Sequence, residues 1–218
     1  MKNIFIGVVV VFASIQTPRL LQAQGTMAYL SNLGQASAGS VAVGSNSWVS
    51  FAFQTGSDAS GYALNSVQLA MMDASGNPSG FTVFLYSATA VPGLGYPYIP
   101  VSEIGTVNNS LSPTTAGIYT FTAVSNLTLA PNKNYCIVLT GGTGIGDGAY
   151  ELNYTGATSN MINNDWVGLQ TITISTNGLN THPISSYTLA YDNLAQFAIN
   201  ATVIPEPSLL GLLGLAAR

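Results

Sequence analysis

Charge is what this sequence has least of. Only 6% of its 218 residues are charged, against about 25% in an ordinary soluble domain, so Ser, Thr, Asn, Gln and Gly must supply most of the wetted surface. Of the four basic residues, Lys2 and Arg19 lie near the N-terminus and Arg218 is the last residue, which leaves Lys133 alone in the body. That argues against a nucleic-acid partner, because phosphate binding needs a clustered basic face. The acids Asp58, Asp73, Glu103, Asp147, Glu151, Asp165 and Asp192 are scattered through the chain, as solvated loop charges are. Cysteine is nearly absent as well. Cys136 stands alone, so no intramolecular disulfide can form and stability must come from core packing. Its setting, NYCIVLT, is an apolar run that suits a buried, inert thiol. The one histidine, His182, precedes a proline that favours extended or turn backbone, and no G-x-S-x-G elbow accompanies it, so it reads as a loop residue rather than a hydrolase base. Helical periodicity is missing too: no stretch of ten or more residues carries an apolar stripe at 3.6-residue spacing.

What is present is alternation. In SWVSFAFQT, Val49, Phe51 and Phe53 share one face, and in SVQLAMM, Val67, Leu69 and Met71 do the same. In GFTVFLYS both alternating sets, Phe81, Val83 and Leu85 against Thr82, Phe84 and Tyr86, contain apolar residues, as expected of a central strand covered on both sides. Further strands are expected at GIYTFTAV, NLTLA, NYCIVLT, AYELNYT, LQTITIST, SYTLAYD and QFAINATV. Between the expected strands stand turn clusters such as ASGNPSG, VPGLGYP, SPTTAG, APNK and GGTGIGDG. The fold class that follows is all-β. An antiparallel β-sandwich, jelly-roll-like, is expected, with a closed β-barrel as the alternative. No internal repeat points to a propeller or a β-helix.

The two ends differ from the body. Residues 1–25 carry Lys2, an apolar stretch from Ile4 to Ala13, the helix-breaking Pro18 and then small residues, the layout of a secretory signal peptide removed by residue 25. At the other end Pro205 and Pro207 lack amide donors and stop the last strand. Leu209 to Ala217 then form nine apolar or small residues, about 14 Å as a helix and roughly half the hydrocarbon core of a bilayer. The expected organisation is therefore a signal peptide over 1–25, a β-sandwich domain over 26–203 and a sorting and anchoring tail over 204–218.

The order of parts in that tail, Pro205, Glu206, Pro207 and Ser208, then a leucine-glycine segment, then Arg218, resembles the PEP-CTERM sorting signal of Gram-negative bacteria. The body is similar to the β-rich choice-of-anchor domains that carry such tails, through YLSNLGQASAGSVAVGSNSWVSFAFQTG, YALNSVQLAM, SGFTVFLYS, PNKNYCIVLTGG and AQFAINATVIPEPS. The resemblance implies an exosortase in the inner membrane as a partner, transient membrane association through the tail, and a destination in the cell envelope, at the cell surface or in an extracellular matrix. Proteins of this kind are defined by their domain and tail and share no agreed activity.

Candidate chemistry is sparse. Asp147, Glu151 and Asp165 are the nearest set for paired-carboxylate glycoside hydrolysis or for calcium, yet no D-x-D-x-D-G order appears, and TGIGDGAY reads equally well as a hairpin turn. That glycine cluster also lacks the order of a phosphate loop. Four N-x-[ST] triplets, at Asn108, Asn126, Asn153 and Asn200, reflect a chain rich in Asn, Ser and Thr. The aromatic residues are more informative. Tyr96 and Tyr98 in VPGLGYPYIP and Trp166 beside Asp165 in NNDWVG combine flat apolar faces with polar groups, as a carbohydrate-binding site does; the alternative is that Trp166 plugs the sandwich edge and the tyrosines cap loops. Trp48 and Tyr135 are expected in the core. The functional expectation is an exported, non-enzymatic surface or matrix protein with a structural or adhesive role and weak binding to extracellular polysaccharide, without cofactor. Its rival is a secreted polysaccharide hydrolase.

Overall fold

A computed structural model describes residues 26–91, 98–108, 112–156, 162–176, 187–191 and 193–205, with backbone alone at 162, 163, 170, 171 and 187–191. The expected signal peptide, Tyr96, His182, Asp192 and the tail residues Glu206, Pro207, Ser208 and Arg218 lie outside the described residues.

The described chain is all-β. It forms β1 (Met27–Ser31), β2 (Gly39–Val43), β3 (Trp48–Gln54), β4 (Tyr62–Gly76), β5 (Thr82–Ala90), β6 (Tyr98–Asn108), β7 (Gly117–Leu129), β8 (Asn134–Thr140), β9 (Gly148–Thr155), β10 (Ile162–Asn163), β11 (Val167–Ser175), β12 (Tyr187–Tyr191), β13 (Leu194–Ala195) and β14 (Phe197–Val203). Pairing is antiparallel throughout. The main path runs β10, β1, β14, β4, β7, β6, β5, β8, β3, β11, β12, while β9 pairs with β2, β13 and the far half of β4. The sheet curls into two facing layers and nearly closes, so the sandwich and barrel readings converge on one antiparallel shell.

The facing is visible in the rings. Phe51 on β3 and Phe197 on β14, strands that are not hydrogen-bonded to each other, have centroids 4.6 Å apart. Alternation explains why they meet. Val49, Phe51 and Phe53, then Val67, Leu69 and Met71, then Val83 and Leu85, all enter one core cluster, together with Ile137, Leu139, Ile199 and Trp166. Stability rests on this apolar interior, since among the described residues Cys136 is free and no disulfide braces the shell.

Five strands were not anticipated by alternation: β1, β2, β6 and the two-residue strands β10 and β13. β1 and β2 are five-residue strands. β6 contains Pro100 and begins at Tyr98, where a loop was expected. Proline is tolerated there because β6 pairs with β5 along its length but with β7 only at Val107 and Asn108, so that its first half has no second hydrogen-bonded strand among the described residues. GIYTFTAV and NLTLA, expected as separate strands, form the single β7 with a register shift opposite Leu64 and Ser66.

Two registers fix the ends of the body. Met27 on β1 pairs with Ala201 on β14, and Val203 pairs with Tyr62 on β4. The Ile204 amide donates to the Gly61 carbonyl at 3.0 Å, and the Asn132 amide to the Gly56 carbonyl at 2.9 Å. The described chain therefore enters at Thr26 and leaves at Pro205 from the same end of the shell. No helix among the described residues is long and apolar enough to cross a membrane.

Candidate functional site

Strands β3, β8 and β5 lie side by side, and each gives one alternating set to the core. The other set must then point outward. On that outward face Ala52, Cys136 and Val138 form a buried floor, and Trp48, Phe84, Tyr86, Ala88, Tyr98 and Leu169 pack against it, partly exposed. Small side chains on the middle strand let large rings from both flanks close over it. Trp48 from β3 and Phe84 from β5 approach across β8 with centroids 6.3 Å apart and planes within 8° of parallel. Phe84 in turn meets Tyr86 edge-on, at 78° and 6.3 Å.

Polar contacts hold this face in shape. The Trp48 indole Nε1–H donates to the Ser45 carbonyl at 3.0 Å. Tyr86 Oη donates to Glu103 Oε2 at 3.2 Å, which sets an exposed carboxylate at the rim of the aromatic group. Ser50 and Thr173, directly opposite each other on β3 and β11, share a hydrogen bond between their hydroxyls. At the end nearest Tyr98, Asn134 pairs with Gln54, and its side-chain carbonyl oxygen is buried without a hydrogen-bond partner among the described residues.

The opposite layer shows a different outward face. There Asn200 donates to Ser66 Oγ at 3.0 Å, Gln68 to Thr120 Oγ1 at 3.2 Å, and Asn65 to Thr202 Oγ1 at 2.7 Å, a carpet of amides and hydroxyls that bond to one another. Its donors are largely used internally.

The residues singled out from the sequence separate. Tyr98 joins the aromatic face, as the first residue of β6 rather than in a loop. Trp166 goes the other way: it is 0% exposed. Its ring stacks on Phe53 at 5.6 Å and 2°, and it lies 5.0 Å from Tyr29 and 4.9 Å from Tyr62. As an outward ligand platform Trp166 is therefore corrected to a core residue, the plug of the sequence alternative. Its neighbour Asp165 stays exposed, with φ at 64°, and accepts from the Ser57 amide at 3.2 Å and the Ser57 hydroxyl at 2.8 Å. The two side chains diverge and form no joint site.

Tyr135 lies in the core as expected, while Trp48 is corrected to the outer face, because its neighbour Val49 takes the inward position. Burial, with Tyr62 and Asp58 close by, raises the Tyr29 hydroxyl above the ordinary tyrosine range. Pro205 stands exposed just past β14.

The three carboxylates do not share a partner. Glu151 accepts from the Ser40 hydroxyl at 2.9 Å, Asp165 is held by Ser57, and the Asp147 amide bonds to the Gly144 carbonyl in a turn. Among the described residues no group of three or more His, Cys, Asp and Glu side chains is arranged to hold a metal ion.

Cys136 is the floor of the aromatic face, and burial pushes its thiol far above the usual cysteine range. The expected result is that iodoacetamide at neutral pH leaves the native protein unlabelled and modifies Cys136 fully in denaturant, read by intact mass. Rapid labelling of the folded protein would mean that the rings above it open to water.

What the sequence reading missed are Trp48, Phe84, Tyr86 and Glu103 as members of one face. The signal was the two-sided apolar pattern of GFTVFLYS: a strand whose second face carries Phe84 and Tyr86 must set them against something other than the core. The class defined by fold and face is an antiparallel β-shell with an aromatic outer surface. Compared with models of protein families, with curated proteins and with solved structures, the chain matches none.

Proposed function

We propose that this chain is an exported, non-enzymatic protein of the cell surface or extracellular matrix, a member of the PEP-CTERM class handed to an exosortase, and that it contacts carbohydrate through the outer face of β3, β8 and β5. The observation that carries the binding reading is the partly exposed group of Trp48, Phe84, Tyr86 and Tyr98 with the Glu103 carboxylate, bonded to the Tyr86 hydroxyl, at its rim. Aromatic faces take the apolar face of a sugar ring, and polar neighbours take its hydroxyls. The export reading draws its support from the layout of residues 1–25 and from Pro205 to Arg218. Chain geometry is compatible with display. Entry and exit lie at the Gln54 end of β3, and Trp48 lies at its other end, six residue steps or roughly 20 Å away. A body tethered by residues beyond Pro205 would carry Trp48 away from its tether.

Two experiments test these parts separately. Fractionation of cells expressing the full chain, with mass spectrometry of the recovered ends, is expected to find the protein in the envelope or medium without residues 1–25. Recovery from the cytosol with both ends intact overturns the export reading. For binding, the protein recovered from those cells is run in native gels containing soluble polysaccharides. An aromatic contact contributes about 0.5–1.5 kcal/mol beyond area burial, so Trp48→Ala is expected to weaken retention by up to roughly tenfold, with Trp48→Phe restoring part of it. Retention unchanged in Trp48→Ala and in Phe84→Ala removes this face as the contact. A dimer in solution that shields Trp48 fluorescence from quenchers, and that Trp48→Ala dissolves, would assign the face to a second copy instead.

A further inference from the structure

We infer that the aromatic face, taken as the carbohydrate contact proposed above, selects uncharged glycans and rejects those bearing carboxylates, and that Glu103 is the residue at the face that sets this preference. The argument is electrostatic. A polysaccharide with uronic acids or other carboxylates is normally held by arginine forks or lysine ammonium groups. In the body the single such residue is Lys133, set against Asp58, Asp73, Glu103, Asp147, Glu151, Asp165 and Asp192. Lys133 follows Asn132 in the connection between β7 and β8, where its backbone bonds to Thr55. It is therefore exposed beside Asn134, at the Tyr98 end of the face, while Trp48, Phe84 and Glu103 lie towards or beyond its middle with no basic side chain on the described strands around them.

Glu103, by contrast, is oriented by the face itself. It lies opposite Tyr86 across the β5–β6 pair, and the Tyr86 hydroxyl donates to its Oε2 at 3.2 Å. Tyr86 is in ring contact with Phe84, and Phe84 with Trp48. A chain lying along these rings passes a fixed negative charge. To a neutral sugar that carboxylate is a hydrogen-bond acceptor for hydroxyl donors. To a uronate it is a like charge with no donor to offer. Among the described residues on these outward positions, Gln54 and Asn134 are neutral amides that neither attract nor repel an anion strongly, and the hydroxyls of Ser50, Thr173 and Thr140 are buried.

The inference rests on the binding reading, and the test separates the two. The protein recovered from expressing cells is run in native gels holding pairs of soluble chains that share a glucan backbone, one uncharged and one bearing carboxylates: hydroxyethylcellulose against carboxymethylcellulose, and dextran against carboxymethyl-dextran. The expected result is retention by at least one uncharged chain and markedly weaker retention by its carboxymethylated twin. Glu103→Gln is expected to strengthen binding to the carboxymethylated chain by roughly threefold, the effect of one solvent-exposed like charge, and so to narrow the gap between the two members of each pair. The gain should shrink as salt shortens the screening length. Glu151→Gln, on β9 in the other outward surface and bonded to Ser40, removes the same net charge away from the rings and should not reproduce it.

Equal retention of both members of a pair, lowered for both by Trp48→Ala, overturns the charge preference and leaves the binding reading standing. An equal gain from Glu151→Gln overturns the assignment to Glu103, because net charge would then suffice. Retention by none of the chains overturns the binding reading and this inference together.

Discussion

Trp166→Ala is expected to lower the stability of the body by about 3–5 kcal/mol, the range for deleting a large aromatic side chain from a packed core. The ring is wholly buried, parallel to Phe53 at 5.6 Å, tilted against Tyr29 at 5.0 Å and edge-on to Tyr62 at 4.9 Å. It joins β1, β3 and β4 just ahead of β11, so its loss opens a cavity where three strands converge. The Trp166 Nε1–H has no hydrogen-bond partner among the described residues. Trp166→Phe therefore sacrifices volume without breaking a bond and should cost distinctly less. Urea denaturation followed by circular dichroism measures both. A Trp166→Ala protein as stable as the parent, yet unable to bind polysaccharide, would return this tryptophan to the surface and undo the packing described here.

Gly76→Ala should be strongly destabilising, at roughly 2–4 kcal/mol from left-handed backbone strain and backbone displacement together. Gly76 ends β4 with φ at 58° and pairs with Gly148 at the start of β9. A methyl group on it would lie 2.6 Å from the Asp147 carbonyl oxygen and 2.9 Å from the Gly148 Cα. Both are main-chain atoms, which cannot rotate away as a flexible side chain can. Gly148 is confined in the same way, since a methyl group there would meet the Asn77 and Pro78 nitrogens at 2.7 and 2.8 Å. The β4–β9 junction is thus built on two glycines, Gly76 making room for the backbone of Asp147 and Gly148, and Gly148 for that of Asn77 and Pro78. Gly34→Ala is the control: nothing lies within 4 Å of the added carbon, so stability should move by less than about 0.5 kcal/mol. Thermal melts of the two variants check the contrast, and equal midpoints would contradict the close approach.

Much of the fold was legible because a period of two is a strong signal when apolar residues are large. Phe51, Phe53, Leu69 and Leu85 announced their faces, and each lies in the core cluster. β2 carried the same alternation in Val41 and Val43, but over five residues with small partners, too short to stand out. β6 was hidden by Pro100 and by a row of exposed residues from Val101 to Glu103. What makes it a strand is the long partner β5, and that is information from elsewhere in the chain. The candidate site was legible only in part. Tyr98 was identified for its chemistry. Trp166 was identified for the same chemistry, yet it belongs to the interior, since an aromatic residue beside an acid has no sequence mark that tells an exposed ring from a plug.

By itself the sequence determined that this protein is all-β, that its body is almost without positive charge, and that its strands have defined inward faces, because these follow from composition and from the geometry of a single extended chain. Only the tertiary structure decided which outward residues become neighbours. Trp48, Phe84, Tyr86 and Glu103 come from three strands that meet through pairings far apart in the chain, and Trp166 turns inward because Phe53, Tyr29 and Tyr62 surround it there. A local pattern can say which side of a strand is apolar. Which other strand lies beside it is set by the registry of the whole sheet.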